Sequence, residues 1–290
     1  MILLVGGTGH VGRHVAVRLA GSGAPVRCLV RPARANTAGR FLASLGFEVR
    51  TGDLDDADSV RAASAGVRLI VSAAPIGHAP VLLACAPAPV ERFVFFSSQR
   101  GRSGVPSHSV AAVQAGEAAV AAAARPCVVL RPTMIYGPGD DRNIGRIVAF
   151  VRRHGWFPVF GRGTALQQPV FVGDVAEAVH AAVSGRGRTG ATYDLAGPEP
   201  LPFVRLLELI GRAVNRRVRR PRIPLWVALP LLRTAQVAGL RLPLTVEQVR
   251  RLQEDKACSI AAAQEDLGFA PLGFAAGLLL SLWRGEIAAR

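Results

Sequence analysis

Within the first twenty residues a short apolar run gives way to spaced glycines and then to a helical pattern. Ile2, Leu3, Leu4 and Val5 suit a strand buried on both faces of a sheet. Gly6, Gly9 and Gly12 follow, and Val11, Val15 and Leu19 then recur at helical spacing, which predicts a helix from about His10. A second apolar run, Val26 to Val30, arrives at the distance expected of a βαβ unit. A strand, a glycine turn and a helix start aim free backbone N–H groups and the positive helix end at one point. There Gly6 permits the turn, Gly9 admits a pyrophosphate close to the backbone, and Gly12 lets helix and strand pack tightly. The spacing therefore predicts a dinucleotide-phosphate site built on Gly6, Gly9 and Gly12.

The rest of the first half alternates strands and helices. Strand signals fall at Phe47 to Thr51, Leu69 to Ala74, Phe93 to Ser97 and Cys127 to Leu130. Helical stretches separate them, among them Ala57 to Ala65 and Ser109 to Ala124. Repeated βα units with buried strands imply a doubly wound α/β fold, a parallel sheet of about seven strands covered by helices on both faces. After Arg131 the texture turns irregular. A helix is expected over Ile144 to His154, a short strand over Pro169 to Val172, and a helix N-cap at Asp174. Thr192 to Leu195 reads as the last sheet strand. Residues 1–165, with return segments near 166–198, form the expected sheet domain. Residues 199–290 form a smaller, mainly helical lobe that closes over it.

Half of the 290 residues are hydrophobic, ample for such a core. The four cysteines are scattered, without disulfide or zinc spacing, and no His/Asp/Glu set has metal-ligand spacing. Met1 opens directly on the first strand with no signal-peptide pattern, and no uninterrupted apolar run is long enough to span a bilayer. A cytoplasmic protein is expected, with peripheral attachment to an inner membrane as the other option. The net charge of +15 favours anionic partners, and the basic residues are arginines apart from a single lysine, Lys256. No nucleic-acid-binding motif accompanies that charge. In dinucleotide sites an acidic residue at the end of the second strand binds the ribose hydroxyls. Here Arg31 and Arg34 occupy that place, and no carboxylate lies between Val26 and Arg40. Arginine pairs with a 2′-phosphate, so NADP(H) is expected over NAD(H).

Several segments together resemble the extended short-chain dehydrogenase/reductase superfamily in its atypical form. GGTGHVG (6–12) resembles its cofactor loop, GDL (52–54) its adenine-contacting segment, and FFSSQ (95–99) the end of its fifth strand. RPTMIYGPGDD (131–141) resembles the segment lining nicotinamide and substrate, and QQPVFVGDVAEAV (167–179) a characteristic helix start. LTVEQVRRLQEDKACS and EDLGF look like a narrower branch of epimerase/dehydratase-like proteins related to an accessory subunit of respiratory complex I. The resemblance implies cofactor contacts from Thr8, His10 and Val11 beside the three glycines. Further contacts are implied from Asp53 and Leu54, from Ala73 and Ala74, and from Ser97, Gln114 and Pro132.

One departure stands out. The superfamily's usual chemistry needs a tyrosine and, four residues later, a lysine on one helix. Alignment through Glu117 puts Val110 and Gln114 at those positions, while the two tyrosines, Tyr136 and Tyr193, lie elsewhere. Loss of general acid–base help removes roughly 10²- to 10⁴-fold in rate. Ser98, Gln99 and His108 are the replacement candidates. The chain is thus expected to be an oxidoreductase or epimerase-like enzyme for a small carbonyl or sugar-type substrate, or else a non-catalytic NADP(H)-binding sensor, assembly or accessory protein. Arg216, Arg217, Arg219, Arg220 and Arg222 precede the apolar segment IPLWVALPLLRTAQVAGLRLPL. This 216–244 stretch is read as a cap over the substrate cleft, with membrane or protein-complex association as the alternative.

Overall fold

A computed structural model describes residues 1–87, 90–237, 239 and 245–288, with side chains to residue 283. Seven strands form one parallel sheet: Ile2–Val5 (β1), Val26–Val30 (β2), Glu48–Thr51 (β3), Leu69–Ser72 (β4), Arg92–Phe96 (β5), Cys127–Pro132 (β6) and Thr192–Leu195 (β7). Their order is β7-β6-β5-β4-β1-β2-β3. The chain winds outward from β1 in one direction to β3 and, from β4, in the other. The reversal falls between β1 and β4, the place where open α/β sheets bind ligands at the carboxyl ends of their strands. In-register pairing of Val5 with Leu29 and Ser72, and of Phe96 with Leu130, brings those ends to a common edge.

Besides the short helical turns at Pro32–Arg34, Ala35–Gly39 and Arg40–Ser44, the longer helices are His10–Ala20 (α1), Ala57–Ser64 (α2), Ala79–Cys85 (α3), His108–Ala122 (α4), Ile144–His154 (α5), Val172–Val183 (α6), Phe203–Ala213 (α7), Leu225–Val237 (α8), Val246–Arg251 (α9), Ala261–Leu267 (α10) and Phe274–Ala288 (α11). Strand periodicity divides the core. Ile2 and Leu4 join Val15, Leu19, Val175 and Val179 of α1 and α6 on one face. Leu3 and Val5 join Val60, Leu82 and Val120 of α2, α3 and α4 on the other. Each residue of β1 thus meets a helix layer, which is why an apolar run rather than an alternating one marks this strand.

α5 packs its Ile144, Val148 and Val151 with Leu206 and Ile210 of α7 and with Phe274 and Leu278 of α11. Ile260, Ala263, Leu267 and Phe269 join the sheet core beside α1 and α6. Three two-residue pairings tie the lobe down: Ile135–Tyr136 with Val170–Phe171, Leu166–Gln167 with Leu201–Pro202, and Val159–Phe160 with Arg222–Ile223. The strand expected over Pro169 to Val172 is only Val170–Phe171 because Val172 already begins α6. Asp174 sits inside that first turn, and its carboxylate accepts the Leu272 N–H at 2.8 Å instead of capping the helix. Residues 238 and 240–244 of the basic-apolar segment lie outside the described residues.

Candidate functional site at the switch point

Gly6 ends β1 with φ +76°, in the left-handed region that disfavours side chains. A Cβ there would stand 2.7 Å from the Ala74 amide nitrogen and 2.8 Å from the Ala73 carbonyl carbon, so the loop lies directly on the exit of β4. A Cβ on Gly12 would lie 2.0 Å from the Gly6 carbonyl oxygen. Both contacts are with backbone, which cannot turn aside. The close approach presses the start of α1 onto the glycine turn. Gly9 precedes the helix in an extended conformation with no side-chain cap, and no acidic residue sits in the first turn. The first N–H groups of α1 therefore lack intrahelical acceptors and face the switch point with the positive end of the helix. The cradle has the shape and polarity that a diphosphate requires.

The surrounding rim is assembled from the same sheet edge. Arg31 and Arg34 follow β2, both exposed, and neither forms an ion pair among the described residues. Asp53 closes a turn by accepting the Asp55 N–H at 3.3 Å, and Leu54 packs with Ala74 on the sheet core. The loop after Tyr136 folds back over α1. The Pro138 carbonyl lies 3.1 Å from His14 Nε2, and Gly139 faces His10. His10 stacks edge-on with His14 at 5.6 Å, and its buried Nε2 has no hydrogen-bond partner. Burial, reinforced by the neighbouring His14, holds the His10 imidazole below its ordinary pKa, despite Asp140 and Asp141 nearby. His10 thus sits with His14 at the mouth of the loop.

Beyond β5 and β6 lies a cavity of about 560 Å³. Ser98, Gln99, Thr133 and Met134 line it, together with Asn143, Gln167 and Gln168. Ser98 Oγ accepts the Arg100 N–H at 3.2 Å, which fixes the oxygen and leaves its proton available to donate. The other sequence candidates are placed differently. His108 is exposed in the first turn of α4 and does not line the cavity. Gln114 is also exposed, and its amide donates to the Gly101 carbonyl at 2.9 Å. Val110 is buried, and Pro132 ends β6 beneath the cavity. The Ser97 hydroxyl binds the Glu117 carboxylate. Glu117 also receives Arg131 at 2.7 Å, Arg131 reaches Asp194 at 3.2 Å, and Asp194 receives Arg102 at 2.8 Å. Burial opposes ionisation of Glu117, but Arg131 and Ser97 outweigh it and hold the carboxyl below its usual range.

Neither tyrosine reaches the cavity. Tyr136 is fully enclosed with Phe171 and Phe274, its hydroxyl donates to the Phe274 carbonyl, and burial pushes its pKa up. Tyr193 is held by Asp266 at 2.6 Å and by the Arg188 N–H at 2.7 Å. Among the cavity residues not named as site candidates from sequence are Gln167, Gln168, Arg251, Glu254, Asp255, Lys256 and Ala257. Lys256 lies within the LTVEQVRRLQEDKACS segment, about ninety positions beyond Gln167.

Two family descriptions match the chain in succession: the NmrA-like family over residues 1–101 and the NAD dependent epimerase/dehydratase family over residues 76–196. The chain is 31% identical over 231 residues to the (4-alkanoyl-5-oxo-2,5-dihydrofuran-3-yl)methyl phosphate reductase of Streptomyces griseus, covering 76% of both proteins. It is 27% identical over 270 residues to the mitochondrial NADH dehydrogenase [ubiquinone] 1 alpha subcomplex subunit 9 of Arabidopsis thaliana. That match takes in 86% of this chain and 67% of the plant protein. The fold matches the dTDP-glucose 4,6-dehydratase of Streptomyces venezuelae, solved with NAD bound, at a TM-score of 0.75 and 19% identity, covering 100% of this chain and 97% of that one.

Proposed function

The chain belongs to the extended short-chain dehydrogenase/reductase superfamily, on its atypical side, and from that premise we propose that it is an NADP(H)-dependent reductase of small carbonyl compounds. The observation that carries the cofactor assignment is the backbone cradle at Gly6, Gly9 and Gly12 with unneutralised Arg31 and Arg34 at its adenosine end. The N–H groups of α1 hold the diphosphate, and the two guanidinium groups hold a 2′-phosphate. A charge-assisted hydrogen bond of about 1.5–3 kcal/mol corresponds to roughly tenfold to a hundredfold preference. The bound nicotinamide supplies the hydride.

The chain's own residues then position the substrate and move a proton. Gln99 and Ser98 follow β5, and Thr133 and Met134 follow β6, so all four flank the place where the nicotinamide segment ends. Ser98 Oγ–H is the donor toward the reduced oxygen, and the polar cavity supplies water to reprotonate it. This route replaces the tyrosine that α4 lacks. Equilibrium titration with NADPH and NADH tests the cofactor assignment. NADPH binds at least tenfold more tightly, and Arg31→Ala erases that difference; tighter binding of NADH overturns it.

A second reading rests on Val110 and Gln114 of α4, where the superfamily's tyrosine and lysine would stand: a cofactor-loaded accessory protein without turnover. Consumption of NADPH with a panel of phosphorylated and plain aldehydes and ketones separates the two. Loss of that turnover in Ser98→Ala supports the reductase, whereas tight NADPH binding without turnover supports the accessory role.

No described helix is long and apolar enough to cross a membrane. α8 nevertheless presents Trp226, Leu231 and Val237 to solvent at 78%, 64% and 86% exposure, directly after the run of arginines. Aromatic and aliphatic side chains beside arginines match the chemistry of an anionic lipid surface, and peripheral docking through this helix is proposed.

A further inference from the structure

The cavity beyond β5 and β6 carries a charge pattern that hydride transfer alone does not require. Four cations border it: Arg100, Arg102, Arg251 and Lys256. Two carboxylates, Glu254 and Asp255, border it as well. Most of these groups are already committed. Arg102 is paired with Asp194 at 2.8 Å and Arg251 with Glu247 at 3.1 Å. Glu254 accepts the Ser103 hydroxyl at 2.7 Å and the Val105 N–H at 3.2 Å, and Asp255 accepts the Leu166 N–H at 2.7 Å. Arg100 and Lys256 remain, each without an ion pair or side-chain hydrogen bond among the described residues.

Two amides sharpen the pattern. Gln167 is 1% exposed and lines the cavity, and its Oε1 has no hydrogen-bond partner. Gln99 lines it too, and its side-chain amide faces the Cys258 sulfur. A buried polar atom without a partner is costly, on the order of 1–3 kcal/mol, so the Gln167 oxygen in the cavity wall marks a place for a polar ligand. Gln167 Oε1 seeks a donor such as a hydroxyl.

Resting on the reductase reading above, we propose that this cavity selects hydroxylated carbonyl compounds bearing a phosphate or carboxylate, whose anionic end sits between Arg100 and Lys256. Lys256 is placed for this by a pairing that spans ninety residues of sequence. Its own N–H donates to the Leu166 carbonyl at 2.7 Å, and the Cys258 N–H donates to Gln168 Oε1 at 2.9 Å. The segment 254–258 is thereby laid along the strand that carries Gln167. Burial, with Arg251 close by, pulls the Lys256 ammonium below its ordinary pKa, and the approach of an anion opposes that pull.

Because Lys256 is the single lysine of the chain, an aldehyde probe reports on it directly. The protein, with no nucleotide added, is incubated with pyridoxal 5′-phosphate or with 5′-deoxypyridoxal, neither of which can close to a hemiacetal, then trapped with borohydride and mapped by peptide mass. Imine formation at Lys256 proceeds at least tenfold faster with the phosphorylated aldehyde, and inorganic phosphate protects. Arg100→Gln brings the ratio of the two rates toward one. Equal rates for the two aldehydes, absence of protection, or trapping confined to the Met1 amine overturns the proposal. NADPH titration of the same sample reports separately on the glycine loop. Normal NADPH binding without phosphate-directed trapping overturns the anion site alone. Phosphate-directed trapping without NADPH binding overturns the cofactor reading and leaves the anion site standing.

Discussion

At the scale of single residues, two positions set the conditions for everything around them. Gly12 is the first, because its missing side chain is the space in which the Gly6 carbonyl sits. Gly12→Ala forces α1 away from the turn, and overpacking of this kind costs about 1–3 kcal/mol. A lowered melting temperature and at least a tenfold loss of NADPH affinity are expected; unchanged affinity would show that the helix start does not grip the diphosphate. Glu117 is the second. Its folded-state pKa lies below the ordinary 4.5, so its contribution to stability is complete above that pH and disappears as pH falls through the folded value. Urea midpoints of the wild type should therefore drop steeply between neutral and acidic pH. Glu117→Gln lowers the midpoint at neutral pH and flattens this part of the acid dependence. A parallel acid profile in the variant would assign the loss to other carboxylates.

At the scale of elements, what could be read in advance depended on how local its cause is. β1, β2 and α1 follow from runs and spacings inside thirty residues, and they stand where the residues alone suggest. β7 is legible for the same reason, since Thr192–Leu195 is bounded by turn residues. Other boundaries are decided by tertiary contacts. Asp174 looks like an N-cap in sequence, yet the Leu272 N–H from a distant segment claims its carboxylate and α6 begins earlier. α5 has the apolar spacing of a sheet-covering helix, but its cluster includes Leu206, Ile210, Phe274 and Leu278, each more than fifty positions onward. The cofactor cradle was visible because glycine spacing is local. The cavity was only half visible: Ser98 and Gln99 continue a strand motif, whereas Gln167 and Lys256 meet through backbone pairing across about ninety residues. His108 and Gln114 of α4 are both exposed.

At the scale of the whole molecule, positive charge and exposed apolar surface coincide on the C-terminal side. Arg222–Ile223 is pinned beside Val159–Phe160, and α8 follows at once with Trp226 and Leu231 uncovered. The protein is expected to float with vesicles containing phosphatidylglycerol and to stay behind with purely zwitterionic ones, with binding weakened by salt. Trp226→Ser together with Leu231→Ser abolishes flotation without lowering the melting temperature. Protein that remains in the pellet with both vesicle types would rule out lipid docking.

The sheet holds a further consequence for how the molecule comes into being. β6 gains its outer neighbour only when Thr192–Leu195 arrives, and that strand is separated from it by α5 and α6. While the ribosome is still emitting the intervening stretch, the nascent sheet carries an unshielded border of amides and carbonyls, open to pairing with another chain. Arrival of residue 195 closes the β6 border and passes the open edge to the short four-residue strand β7.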